Sequence, residues 1–238
     1  MIKRFIQLQW KSFFRSSSFG KGLALKIVMI FFGLYLLSAL VGLGVVLYFV
    51  LRKIFPDQNP MWMLSQFMVY WILVELFFRY FMQKLPVMDV KPLLSMPIKK
   101  SMITHYILGK SAISVYNFMA FFLFVPYGMV LLYRGYPLLN VSLWLVSIMA
   151  LVMCINYVNF IVNKSDKALM IIGGILLTLY GLDYFQLLPV RDFFGPLFHG
   201  LYQYPITVLV PLTLAAIAYY VNYSYLKNRI FLDVSLKT

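Results

Sequence analysis

Reactive side chains are scarce in this chain: one cysteine, two histidines and seven acidic residues among 238, with charged residues only 12% of the whole. The lone Cys154 excludes a disulfide within the chain and any cysteine-based metal site. His105 and His199 fall in loops on opposite sides of the topology that the hydropathy dictates, so they cannot share a metal ion or a nucleophilic triad. The acidic residues are too scattered for a catalytic carboxylate pair. Gly109-Lys110-Ser111 matches the end of a phosphate-binding loop, but that loop needs a glycine five positions earlier, where Thr104 stands. The expectation is a chain that is not an enzyme in its own right, with no catalytic residue, no cofactor and no metal.

What is abundant is apolar surface. Hydrophobic residues make up 63% of the chain, an amount that has to be given to lipid or hidden from water. Six stretches are candidate membrane spans: 23–51, 61–82, 111–133, 141–162, 168–182 and 204–226. Crossing the hydrocarbon core takes roughly 20 mostly apolar residues, so the fifth stretch is short. The expected fold is all-α: a polytopic membrane protein in which residues 23–238 form a six-helix transmembrane domain.

Charge orients it. An even number of spans puts both termini on one side, and 17 of the 21 basic residues fall there; Arg52, Lys53, Arg134 and Arg191 fall on the other. Lys and Arg accumulate in cytoplasmic loops, which makes both termini cytoplasmic. The net charge of +14 then comes from a basic cytoplasmic rim attracted to anionic membrane lipids. A nucleic-acid partner is not expected, because there is no soluble basic domain to bind one.

Residues 1–22 carry Ile2, Phe5, Ile6, Trp10, Phe13 and Phe14 at helical spacing, with Lys3, Arg4, Gln7, Lys11 and Arg15 on the other side. This predicts an amphipathic helix lying in the cytoplasmic interface, not a cleaved signal. Between the second and third stretches, Pro86, Pro92 and Pro97 forbid a continuous helix. Ser95 can cap a new one with Pro97 in its first turn. Its apolar face would be Ile98, Met102 and Tyr106, joined by Ile103 and Ile107; Lys99, Lys100 and His105 lie on the polar one. Such a helix suits the docking of a soluble partner, or simply lies on the membrane surface.

Glu75 and Arg79, four apart, can pair on one face of the second span. An unpaired charge in the membrane costs about 2.5–3.5 kcal/mol on insertion scales, so the pair should face protein. The amides Asn117, Asn156 and Asn159 are the main polar groups within the spans, either as hydrogen bonds between helices or as parts of a substrate path. Residues 183–203 are too aromatic for a solvated loop and are interrupted by Pro189, Gly195 and Pro196. Short re-entrant helical pieces before the last span, in an aromatic belt, fit both properties.

The run from Glu75 through Phe77-Phe78-Arg79-Tyr80-Phe81-Met82-Gln83-Lys84-Leu85-Pro86, then Pro92-Leu93-Leu94-Ser95-Met96-Pro97-Ile98-Lys99-Lys100 and His105-Tyr106-Ile107-Leu108-Gly109-Lys110-Ser111, carries a resemblance. Trp10-Lys11-Ser12-Phe13-Phe14-Arg15 upstream belongs to it. With the layout of spans, these residues resemble a bacterial family of uncharacterised ABC permease-like membrane proteins, and more broadly the membrane domain of type 2 ABC exporters. The resemblance implies a permease in the bacterial inner membrane, paired with a second copy or a second half around a central path. It also implies separate ATP-binding cassette subunits docked on the coupling-type helix after Pro97 through Lys99, Lys100 and His105, with Glu75 and Arg79 as a brace. Members of that family are longer, which makes this chain a candidate N-terminal half, or a truncated or shortened relative. The apolar spans favour a lipid-like or amphipathic substrate. The alternative is a non-transporting scaffold or anchor subunit of an envelope or secretion assembly.

Overall fold

The computed structural model describes residues 23–83, 99–162 and 166–229. The expected interfacial helix over 1–22, the proline-rich crossing with Ser95 and Pro97, and the basic residues within those segments lie outside the described residues.

Among the described residues the chain is helical without strands: α1 (Leu23–Ile54), α2 (Pro60–Met82), α3 (Lys100–Ala112), α4 (Val115–Tyr133), α5 (Leu138–Val162), α6 (Asp166–Tyr184), α7 (Val190–Gln203), a 3-10 turn (Pro205–Val208) and α8 (Leu209–Arg229). Five described segments are long and apolar enough to cross a membrane: Ile27–Ile54, Pro60–Met82, Lys100–Tyr133, Leu138–Val162 and Pro205–Lys227. The stretch expected as the fifth span is the exception, since the apolar part of α6, Leu169–Tyr184, is shorter. Helices are what the hydropathy demands, because hydrocarbon offers no partner to a free backbone N–H or C=O.

Local signals set the ends. Asn59 caps α2 by accepting the Met61 N–H at 2.9 Å, and the same oxygen accepts the Tyr136 hydroxyl at 2.8 Å, tying the α1–α2 turn to the α4–α5 turn. α4 stops at Gly135, which has a φ of 87°. The Tyr136 N–H bonds back to the Leu131 carbonyl and the Gly135 N–H to that of Leu132, a Schellman closure that needs a left-handed residue and so suits glycine.

α5 is the central helix, packed against α8, α4, α2, α7 and α3. α1 rests chiefly on α4 at one edge, and α2 carries α6 and α7 at the other. Large rings fill the middle: Trp71 meets Phe124 edge-on at 4.9 Å, and Phe124 meets Trp144 at 6.0 Å. Helices in lipid gain little from hiding apolar surface, since the lipid is equally apolar, so interdigitation of this kind holds them together.

Two expectations need redrawing. Ser111 closes α3 instead of opening the third span; the chain bends at Ile113 and Ser114 and the span helix begins at Val115. The aromatic segment before the last span is one helix, α7, not several pieces. It runs through Pro196, giving up the bond that the Asp192 carbonyl would have accepted. Gly195 lets α7 lie against α2, because a Cβ there would sit 2.8 Å from Gln66 Cγ. Of the expected belt, Phe198 is buried and Phe194 and Tyr202 are partly buried, while Tyr184, Phe185, Phe193 and Tyr204 are exposed.

Gly44 is the closest approach of α1 to α4: a Cβ would stand 2.2 Å from the Leu123 carbonyl oxygen, whereas one at Gly42 meets nothing within 4 Å. Gly44→Leu should therefore push α1 off α4, at about 1–3 kcal/mol, and lower the thermal midpoint of the detergent-purified protein by several degrees. Gly42→Leu should leave it unchanged.

A buried polar cluster as candidate functional site

Polar groups gather where α2 ends, α3 meets α4, and α5 passes behind. Glu75, Arg79 and Gln83 follow one another at intervals of four, so they line one face of α2 and its C-terminal cap. Arg79 is 1% exposed and is among the largest fully buried side chains described. Its Nε donates to Glu75 Oε1 at 2.9 Å, and Nη2 closes to 2.8 Å of the same oxygen as an ion-pair contact. Nη1 donates to Asn117 Oδ1 on α4 at 2.7 Å and to Gln83 Oε1 at 3.4 Å.

From there the bonds spread to every neighbouring helix. Gln83 Nε2 donates to Asn156 Oδ1 on α5 at 2.8 Å, Asn156 Nδ2 donates to Ser111 Oγ on α3 at 3.0 Å, and Asn159 Nδ2 reaches Gln83 Oε1 at 3.3 Å. Asn117 Nδ2 donates to the Ser111 and Ala112 carbonyls at 3.2 and 2.7 Å. Those carbonyls end α3 and have no partner inside their own helix. The α3–α4 elbow is thus closed by the amide of Asn117, whose other atom holds Arg79. Tyr116 adds a bond from its hydroxyl to the Met82 carbonyl at 2.7 Å.

Five of the intramembrane polar residues read from the sequence, Glu75, Arg79, Asn117, Asn156 and Asn159, therefore meet in one cluster. Gln83 and Ser111 were not anticipated. Gln83 had a legible signal, since it continues the Glu75, Arg79 interval by four more residues; Ser111 had none, because its bond to Asn156 spans 45 positions. Asn159 Oδ1 is buried with no hydrogen-bond partner.

The candidate docking residues lie apart from this cluster and diverge from one another. Lys99 and Lys100 are exposed at the start of α3, while His105 faces α8. Its ring stacks on Tyr223 at 4.6 Å and 23° and on Tyr219 at 6.1 Å and 18°, and its Nδ1 is hydrogen-bonded to the Tyr219 hydroxyl. Ser101 Oγ bonds the Tyr223 hydroxyl at 2.9 Å. The buried face of α3 is Ile103, Thr104, Ile107, Leu108 and Ser111, rotated from the expected one because α5 and α8 both press on it.

At the opposite end, Arg191 at the start of α7 pairs with Asp183 near the end of α6 at 2.6 Å, and Gln66 Nε2 on α2 donates to Asp192 Oδ1 at 3.0 Å. His199 on α7 meets Trp62 edge-on at 5.1 Å, and burial holds its imidazole below the ordinary value of 6.5. Among the described residues no group of three or more His, Cys, Asp or Glu could hold a metal ion.

Apolar helices long enough to span, packed around a buried ionic and amide cluster, define an all-α, multi-pass membrane protein. Within that class the chain belongs to the family of unknown function DUF5687, whose profile matches residues 9–238. No curated protein and no solved structure matches the chain.

Glu75→Gln leaves the buried guanidinium without its counter-charge and should destabilise the protein by about 3 kcal/mol, as loss of one partner of a buried pair does. Glu75→Gln combined with Arg79→Met should recover much of that loss in the same thermal or denaturant titration. A double variant at least as unstable as the sum of its singles would show that the two side chains do not act as a pair. At His199 the folded state disfavours the proton, so its contribution to stability is intact above the ordinary value and is lost as pH falls through the lowered one. His199→Gln should narrow the fall in thermal midpoint between about pH 7 and pH 5.

Proposed function

We propose that this chain is the membrane-spanning permease subunit of an ATP-driven exporter of the ABC type, with ATP hydrolysis supplied by separate ATP-binding cassette subunits. The observation that carries the reading is α3. It is a helix set off from the span that follows it by a bend, with exposed lysines at its start, and its other end is bonded to α2, α4 and α5 through one polar cluster. A push on Lys99 and Lys100 would reach four helices at once. In this reading α6 serves as the fifth of six spans, α7 closes the outer side as a re-entrant helix, both termini are cytoplasmic, and the protein sits in the bacterial inner membrane. A second copy, or a second half, completes the path. The lipid-facing aromatic and aliphatic surface favours a lipid-like or amphipathic substrate over a sugar or an ion. His105 acts from behind the docking surface, by holding α3 on α8.

A scaffold role is favoured by one feature of the same cluster: its amides bond to each other and to helix carbonyls, not along an open polar path. Both readings are separated by affinity purification from the native membrane. An ATP-binding cassette subunit should co-purify, and Lys99→Glu with Lys100→Glu should reduce its recovery several-fold while the permease itself remains folded. Co-purification of an envelope or secretion assembly without such a subunit would establish the scaffold instead.

A further inference from the structure

We infer that Arg52 and Arg134, where α1 and α4 finish, hold the phosphate of an anionic phospholipid whose acyl chain lies along α1. Both arginines are exposed, and they converge on the ring of Tyr48, which is buried. Arg52 Nη1 donates to the Tyr48 hydroxyl one turn back on α1 at 3.4 Å. From α4, the Arg134 Cζ lies 5.6 Å from the centre of the Tyr48 ring and 5.3 Å from that of Phe49. The two rings meet edge-on at 85°, so Arg134 rests in an aromatic corner. A guanidinium placed over rings is oriented by them while its N–H groups stay available to an acceptor. Each guanidinium has five N–H donors. Among the described residues Arg52 spends one of them on a side chain and Arg134 none.

The turns at this end of the bundle, 55–59, 134–137 and 185–189, all lie within the described residues, and so do their carboxylates. Asp183 pairs with Arg191 and Asp192 accepts from Gln66. Asp57, exposed on the turn after α1, forms no ion pair with Arg52, Lys53 or Arg134. Two oriented guanidinium groups with unspent donors match a phosphate, whose oxygens accept from such forks. What lies beneath them is apolar and belongs to a span. Gly42, Val45, Phe49 and Arg52 follow at intervals of three and four and share a face of α1. Val45 is 37% and Phe49 46% exposed, and a Cβ on Gly42 would meet nothing within 4 Å, so the stripe is open to lipid. The contact of Arg134 with Phe49 brings the α4 cation to the head of that same stripe. A free phosphate would use the arginines and leave the stripe aside; a phospholipid with a net negative head uses both.

The test is photocrosslinking of the full chain in bilayers of equal phosphatidylcholine and phosphatidylglycerol. One lipid or the other carries a diazirine in its acyl chain, and the adducts are mapped by peptide mass spectrometry. A basic residue at the membrane surface contributes about fivefold in affinity for an anionic lipid, so labelling of segment 42–49 should be several-fold greater with the phosphatidylglycerol probe. Arg52→Gln and Arg134→Gln should each lower that excess, and the double variant should bring the two probes level. Arg52→Lys with Arg134→Lys keeps both charges without the forked donors and should hold part of the excess, which separates loss of the anion site from loss of packing. Lys227→Gln, at the other end of the bundle, should not move it. Equal labelling by the two probes in the unaltered chain, or an excess that survives the double glutamine variant, overturns the inference. Inorganic phosphate that protects the detergent-purified chain against heat as well as phosphatidylglycerol does, through the same two arginines, overturns it too, because the stripe would then add nothing. The labelling is read on the isolated chain at the end of the bundle opposite α3, so its outcome is independent of recovery of an ATP-binding cassette subunit.

Discussion

A guanidinium that cannot reach water organises one end of this molecule. Arg79 is 1% exposed in a chain built for lipid, and a cation so placed is tolerated only when charge and hydrogen bonds surround it. Glu75 supplies the charge from one turn earlier. The remaining donors need acceptors from outside α2, and they find Asn117 on α4 and Gln83 just beyond the helix end. Each of those amides has a second pole to satisfy in turn, which is why the network extends to the α3 carbonyls and to Asn156 and Asn159 on α5. Satisfying one ion fixes four helices relative to one another.

That constraint explains the elbow. α3 could have run straight into α4 as a single long helix, since neither a proline nor a left-handed residue stands at the junction. Instead the last α3 carbonyls turn to the Asn117 amide, and the chain bends at Ile113 and Ser114. The far part of α3 is held by a different chemistry, aromatic stacking and hydroxyl bonds to α8. α3 is consequently gripped at both ends by helices distant in sequence, and its displacement has to be shared by the cluster at one end and the last span at the other. A helix anchored in this way cannot shift without moving both of its supports.

Much of this was legible beforehand, and the boundary of legibility is physical. Helix pairing at four-residue intervals is a local rule, so Glu75 with Arg79 could be read directly, as could the shared face of Asn156 and Asn159. Ser111 could not: it meets Asn156 only because α3 lies against α5, and nothing local distinguishes it from the other serines. His105 shows the same limit in reverse. Its neighbours in sequence, Lys99 and Lys100, place it on a polar face, yet the two tyrosines it stacks on lie more than a hundred residues away.

Composition and hydropathy by themselves determined that the chain is helical and multi-pass, because apolar runs of about 20 residues satisfy their backbone hydrogen bonds in hydrocarbon within a single helix. Charge distribution and local spacing singled out the intramembrane ion pair. Tertiary structure decided what those residues are for one another: that five scattered polar side chains form a single cluster, that α3 and α4 are separate helices joined by a bend, that α7 is one continuous helix despite Pro196, and that His105 of α3 stacks on two tyrosines of α8. The reason is the same in each case. These features are bonds between helices, and the pattern along one helix records which face is polar or apolar but not which partner the face will meet.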